Sequence, residues 1–197
     1  MEVIEVEQGT PEWFAARLGI PTASEFKTVL AGGKGLTRAT YMRKLAGEVL
    51  TGEPAESYSN AAMERGKAME PEARMAYSLL KDVEVHEVGF ILNHGAGCSP
   101  DGLIGDDGGL EIKTKAPHLL IECLDRDDIP PEHRAQVQGA LWITGRRWWD
   151  FVAYWPGLPL FIVREYRDED YIANLAQEVK TFNAQLARMV EKLRGMM

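Results

Sequence analysis

The chain has 197 residues and a net charge of −8, from 22 Lys and Arg against 30 Asp and Glu. That length points to one domain, and 45% hydrophobic with 26% charged residues excludes a long disordered chain. The acidic balance excludes holding a polyanion by bulk charge, so any nucleic acid must be met by basic residues gathered on one surface or with help from metal ions.

Two cysteines, Cys98 and Cys123, are too few for a disulfide framework or a four-cysteine metal site. They read as reduced thiols of a cytoplasmic protein. The acidic opening Met-Glu-Val-Ile-Glu-Val-Glu lacks the pattern of a signal peptide. No run approaches the ~18 apolar residues of a membrane span.

The first half reads as helical. Pro11 to Leu18 spaces Trp13, Phe14 and Leu18 as a helix would, and either Thr22 or Ser24 caps the next helix, which runs to about Leu30. Thr37 is a cap for a third, with Tyr41, Met42, Leu45, Val49 and Leu50 on one face and Gly52 beyond its end. Loops are expected over Ala31 to Leu36 and Thr51 to Ser59, followed by a long helix from Ser59 to Leu80 that Pro71 should kink or break. From Val83 the period changes. Strands are expected at Val83 to Leu92, Cys98 to Ile104 and Gly109 to Lys115, the last two joined by the turn Gly105-Asp106-Asp107-Gly108. Short helices are expected at His118 to Leu124 and from Pro131 to Thr144, where Gly145 stops the second. Trp148 to Trp155 and Leu160 to Tyr166 read as strands around Pro156-Gly157. Ile172, Leu175, Val179, Phe182, Leu186, Met189 and Leu193 then form one helical stripe, packed on its own domain rather than in a coiled coil. The order defines an α/β or α+β sheet with helices on its faces. The chain is one domain over 1–197: a helical part at 10–80, a core sheet at 83–166 and a C-terminal helix at 168–195. Trp13 and Trp142 are expected in the core.

The hairpin from Cys98 to Lys115 carries chemistry. Glu111 and Lys113 are two apart on a strand and share a face, and pairing with the preceding strand brings Asp101 opposite them. Two convergent carboxylates suit a hard divalent cation, and the Ile112 backbone carbonyl between them is a further oxygen donor. A lysine beside such a site can orient a water and offset charge building on a phosphate. The plain alternative is a surface hairpin with a Glu–Lys pair.

With these residues in hand, the sequence resembles the PD-(D/E)XK nuclease superfamily, and within it the phage lambda-type exonucleases grouped with YqaJ-like viral recombinases. Five motifs occur in order: Gly9-Thr-Pro-Glu-Trp-Phe-Ala-Ala-Arg-Leu-Gly-Ile-Pro-Thr-Ala-Ser24, Arg65-Gly-Lys-Ala-Met-Glu70, Ser99-Pro-Asp-Gly-Leu103, Leu110-Glu-Ile-Lys113, and Ala135-Gln-Val-Gln138 followed by Leu141-Trp-Ile-Thr-Gly-Arg146. The resemblance implies a central mixed sheet flanked by helices, with the metal site at a sheet edge. It implies Mg²⁺, replaceable by Mn²⁺ and two per site, held by Asp101, Glu111, the Ile112 carbonyl and Glu70, with Lys113 and Gln136 completing the catalytic set. Glu64 competes with Glu70, but six residues turn a helix by ~600°, so the two face apart. Arg17, Ser24 and Ser99 are implied to bind a 5′-phosphate, and Met63 to wedge between bases at the duplex end. His133, although one turn from Gln136, reads as a plain polar residue.

The implied activity is metal-dependent 5′→3′ digestion of one strand of linear double-stranded DNA, leaving 3′ single-stranded tails. The implied partners are duplex DNA with a 5′-phosphate end, further copies of the chain in a ring trimer and a single-strand annealing protein, with no membrane. Rival readings are a site-specific endonuclease on the same core and a non-catalytic DNA-binding protein.

Overall fold

The computed structural model describes residues 1–31, 36–55 and 61–197, without the side chains of Leu36 and Ala62. The loops expected over Ala31 to Leu36 and Thr51 to Ser59, and a helix start at Ser59, fall largely outside the described residues.

Strand β1 (Glu2–Ile4) leads into α1 (Pro11–Ala16), a 3-10 turn at Ala23–Glu25, α2 (Phe26–Leu30), α3 (Leu36–Thr51) and α4 (Ala61–Lys81). Then come β2 (Phe90–Asn93), β3 (Ala96–Cys98), β4 (Gly102–Ile104), β5 (Gly108–Thr114), α5 (Pro117–Arg126), α6 (Pro131–Thr144), β6 (Trp148–Tyr154), β7 (Phe161–Tyr166) and α7 (Glu169–Arg194). The strands make two sheets, β1-β2-β3 and β4-β5-β6-β7. The second is mixed: β5 runs parallel to β6 while the other pairs are antiparallel. The parallel step is made possible by the long crossover through α5 and α6.

Local chemistry explains most boundaries. Thr10 caps α1 by accepting from the Trp13 N–H, and Asp168 caps α7 through Tyr171. Gly145 ends α6 in the left-handed region, φ 69°. Five expectations are corrected. Val83 to Val88 is not strand apart from a bridge between His86 and Leu103, because no partner ladder extends beyond that bridge. Cys98 to Ile104 is broken into β3 and β4, since Pro100 has no N–H for a ladder. Pro71 does not break α4, whose helical run continues from Ala61 to Lys81. Thr37 lies inside α3 rather than at its cap, and Thr22 precedes the 3-10 turn without a side-chain capping bond.

The mixed sheet is covered on both faces, and the strand alternation sorts residues between them. Leu110, Ile112, Val152 and Tyr154 pack with Ala73 and Tyr77 of α4. Trp149, Phe151 and Ala153 point the other way, into the larger core with Ala135, Val137 and Leu141 of α6 and with the α7 stripe of Ile172, Leu175, Val179 and Phe182. The stripe is thus an intramolecular one. Among the tryptophans it is Trp149 that is fully buried; Trp13 and Trp142, expected in the core, are half-buried, as Trp148 and Trp155 are. On the α4 face, buried Asp150 accepts from Tyr77 at 2.6 Å and from Arg164 at 2.7 and 2.9 Å, tying α4 to β6 and β7.

Candidate active site

Because β4 pairs only with Gly108, Gly109 and Leu110, the end of β5 from Glu111 onward has an open edge on the side away from β6. The bend Ser99-Pro100-Asp101 lies along that edge. Its Asp101 N–H donates to the Leu110 carbonyl at 3.1 Å, and its carboxylate accepts from the Ile112 N–H at 2.5 Å. A strand residue's N–H and C=O leave the same side of the backbone. The Ile112 carbonyl therefore shares the edge with the Asp101 carboxylate, as a third oxygen donor there requires.

Glu111 and Lys113 point to the α6 face. Glu111 is 3% exposed, and its Oε1 takes both the Lys113 ammonium at 2.5 Å and the Gln136 amide at 2.5 Å. Burial, followed by the Glu111 and Lys113 charges acting in opposite senses, pushes the Asp101 carboxyl well above its ordinary range. Burial pulls the Lys113 ammonium down, but Glu111 and Asp101 more than offset it, so its pKa is raised and it is charged at neutral pH. Two carboxylates crowded in a buried place, with one lysine between them, are short of positive charge. Hard oxygen donors and a charge deficit together fit a divalent cation.

Glu70 comes from α4, on the sheet face opposite Glu111, yet it feels the charges of Glu111 and Lys113. Its carboxylate is bonded to Arg74 at 2.6 Å, and burial raises its pKa, opposed by Arg74. Among the described residues no three His, Cys, Asp or Glu side chains form a ready-made metal cluster. Asp101 and Glu111 lie together at the edge of β5, and the Glu70 carboxylate, held by Arg74, acts on both Asp101 and Lys113. Glu64 is exposed and pairs with Lys67 at 4.0 Å. Gly66 lets this end of α4 come close to β5: a Cβ there would lie 2.9 Å from Thr114 Oγ1.

A cavity of about 220 Å³ joins the remaining candidates: Arg17, Ser24 and Ser99 line it together with Asp101, Glu111, Lys113 and Gln136. Arg17 donates to Ser99 Oγ at 3.1 Å and lies over the Trp13 ring, its Cζ 3.8 Å from the centroid. The Trp13 indole N–H also bonds Ser99 Oγ, at 2.9 Å. Burial draws the Arg17 pKa down against Tyr41 and Glu48, which raise it. Ser24 is exposed, 3.2 Å from Thr22 Oγ1. A guanidinium with two hydroxyls is a receptor for a phosphate. A wider groove of about 1010 Å³ shares Arg17, Ser24 and Asp101 with this cavity and adds Met63, Lys67, Glu70 and Arg74. Met63 is 49% exposed, so it is not a core residue. Its neighbour Arg65 lies instead over Trp155, 5.3 Å from the ring.

Two polar residues near the site have other work. Gln138 bonds the Tyr166 carbonyl at 2.9 Å and accepts from the Asp168 N–H at 3.0 Å, joining α6 to the start of α7. His133 stacks on Phe151, lies 3.0 Å from Lys115 Nζ, and is drawn down to about 4 by burial and then by Lys115 and Lys113, which leaves it neutral. Sequence reasoning missed Gln8, which donates to the Pro100 carbonyl at 2.9 Å and steadies the bend carrying Asp101. It placed Trp13 in the core and missed its hold on Arg17 and Ser99. It also missed Arg74, whose only signal was its position four residues after Glu70.

A mixed sheet flanked by helices, with an acidic pair and a lysine at its edge, is the architecture of the PD-(D/E)XK nuclease fold. Comparison with known proteins gives the family. Residues 12–147 match the YqaJ-like viral recombinase domain. Solved structures of LHK-Exo, an alkaline exonuclease from Laribacter hongkongensis, are 41% identical and cover 95% of this chain and 97% of that one. The TM-score is 0.88 for its complex with dAMP and 0.87 for the other structure. A phage-related exonuclease from Haemophilus somnus 129PT shares the fold at 13% identity and TM-score 0.67, over 88% of this chain and 96% of that one. None of the curated proteins matches. The chain belongs to the YqaJ-like viral recombinase family. No helix among the described residues is long and apolar enough to cross a membrane.

Proposed function

We propose that this exonuclease removes nucleotides from the 5′ end of one strand of linear duplex DNA, in a reaction that depends on Mg²⁺ or Mn²⁺, and leaves 3′ single-stranded tails. The observation that carries this reading is the joining of an anion receptor, Arg17 with Ser99 and Ser24, to the carboxylate pair and Lys113 within one cavity. An internal cutter has no need of a terminal-phosphate receptor beside its scissile position. The dAMP bound to the 41% identical LHK-Exo supports a cavity fitted to a 5′-mononucleotide.

In this reading Asp101, Glu111 and the Ile112 carbonyl hold one cation, and Glu70 supports a second directly or through water. A cation held there would supply Lewis-acid polarisation of the phosphate and lower the pKa of a bound water. Lys113, already fixed by Glu111, orients the attacking water and offsets charge building on phosphorus. Gln136 locks the Glu111 carboxylate and so the lysine. Arg17, stacked on Trp13, positions the 5′ end. Met63, in the adjoining groove, separates the first base pairs, and Lys67 steadies the backbone.

With a net charge of −8, topological retention of DNA by a ring of three copies would ease the demand for electrostatic grip. A single-strand annealing protein receiving the 3′ tail, and work in the cytoplasm of a bacterial or phage-infected cell, complete the proposal. The test is digestion of linear against closed circular duplex, with Mg²⁺ and with a chelator. Loss of the linear form alone, and only with Mg²⁺, is expected. Cutting of closed circles would refute an end-acting enzyme.

A further inference from the structure

We infer that Arg74 is a positioning residue that fixes the distance between Glu70 and Asp101 across the sheet edge. The inference rests on the metal-dependent reading above. The observation is a three-way fork. Arg74 Nε donates to the backbone carbonyl of Asp101 at 2.9 Å, one terminal nitrogen holds Glu70 Oε1 at 2.6 Å, and the other holds Glu87 Oε2 at 2.7 Å. Glu70 rides on a helix on one face of the sheet, whereas Glu111 faces the other. Nothing in the backbone ladder links α4 to the bend carrying Asp101; the guanidinium supplies that link.

The three contacts are unequal. Glu87 is 70% exposed, and its ion pair is worth little in water. Glu70 and the Arg74 side chain are far less exposed, at 32% and 14%, and the Asp101 carbonyl belongs to the residue whose carboxylate lies at the open edge. The planar fork of arginine spans a carboxylate and a carbonyl at once, which a lysine ammonium on a flexible stem cannot do with the same fixed geometry. Arg74 itself lines the wide groove rather than the small cavity, and it acts through Glu70.

A double-mutant cycle on the full chain tests this, with turnover on linear duplex, Mn²⁺ titration calorimetry and thermal melting as readouts. Arg74→Gln is expected to lower turnover by about 10- to 100-fold, the usual effect of losing a residue that orients a metal-site group. In a Glu70→Gln background the same change should cost less than about 2-fold in turnover and leave the Mn²⁺ isotherm as it is in Glu70→Gln alone. Arg74→Lys should recover the melting temperature of the native chain but not its turnover. Equal fold-losses from Arg74→Gln in both backgrounds would make Arg74 a structural residue and overturn the inference while leaving Glu70 in the site. Full recovery of turnover by Arg74→Lys would overturn it as well, since charge alone would then suffice. If Glu70→Gln changed neither turnover nor Mn²⁺ binding, Glu70 would leave the metal site, and the inference would fall with that assignment.

Discussion

Gln136 donates a 2.5 Å hydrogen bond to Glu111 Oε1, the oxygen that also receives the Lys113 ammonium at 2.5 Å. One carboxylate oxygen, on β5, is thereby held from α6 and from its own strand together. This makes Glu111 the pivot of the site, with Lys113 poised by it.

Removing the lysine should separate chemistry from binding. Lys113→Ala is expected to lower turnover by at least about 10²- to 10³-fold, the range for a lost group that stabilises charge in the transition state. Mn²⁺ affinity and duplex binding should stay close to native. Turnover near that of the native chain would take Lys113 out of the mechanism, and a collapse of Mn²⁺ affinity would make it a structural counter-ion instead.

Stability should depend on pH through Asp101. Its carboxyl pKa is raised above the ordinary 3.8 by burial and by Glu111. Between 3.8 and the folded-state value the native chain therefore binds more protons than the unfolded chain, so stability falls as pH rises through that window. Asp101→Asn removes the penalty. In the presence of a chelator it should melt higher than the native chain at neutral pH, by roughly 2–4 °C for each kcal/mol relieved. It should also lose the stabilisation that Mn²⁺ gives the native chain. A lower melting temperature for Asp101→Asn in chelator would contradict the crowding of the pair.

Arg17 should discriminate between ends. Arg17→Lys keeps the charge but loses the fork that reaches Ser99 and lies over Trp13. Digestion of 5′-phosphorylated duplex should slow much more than digestion of 5′-hydroxyl duplex, narrowing the ratio of the two. Equal slowing on both would assign Arg17 a general contact with DNA.

Met63→Ala should slow fully paired ends more than ends with a few unpaired 5′ nucleotides, because only the former need a wedge. At 49% exposure its truncation should change the melting temperature little. Equal rates of loss on the two substrates would refute the wedge.

The hairpin was legible because its signals are local. The turn from Gly105 to Gly108 set the register that pairs Gly102 with Leu110, and strand period then put Glu111 and Lys113 on one face. The apolar stripe of α7 was legible for the same reason. What could not be read depends on which face of the sheet an element covers. Glu70 belongs to the same motif set as Glu111, yet α4 packs against Leu110 and Ile112 while Glu111 looks toward α6, and no spacing in the chain encodes that choice. Trp13 misled for a related reason: its helical spacing fits burial, but its indole N–H is spent on Ser99 and the Gly89 carbonyl at the rim of the cavity. The strand expected from Val83 failed where alternation had no partner ladder beyond one bridge.

Digestion of end-labelled linear duplex decides whether attack begins at a 5′-phosphate end. A label on the 5′-terminal phosphate should appear at once as a mononucleotide in Mg²⁺, while a label at the 3′ end stays in long strands until late in the digestion. A 5′-hydroxyl end should be consumed more slowly than a 5′-phosphate end. Early release of the 3′ label, or indifference to the phosphate, would contradict the account.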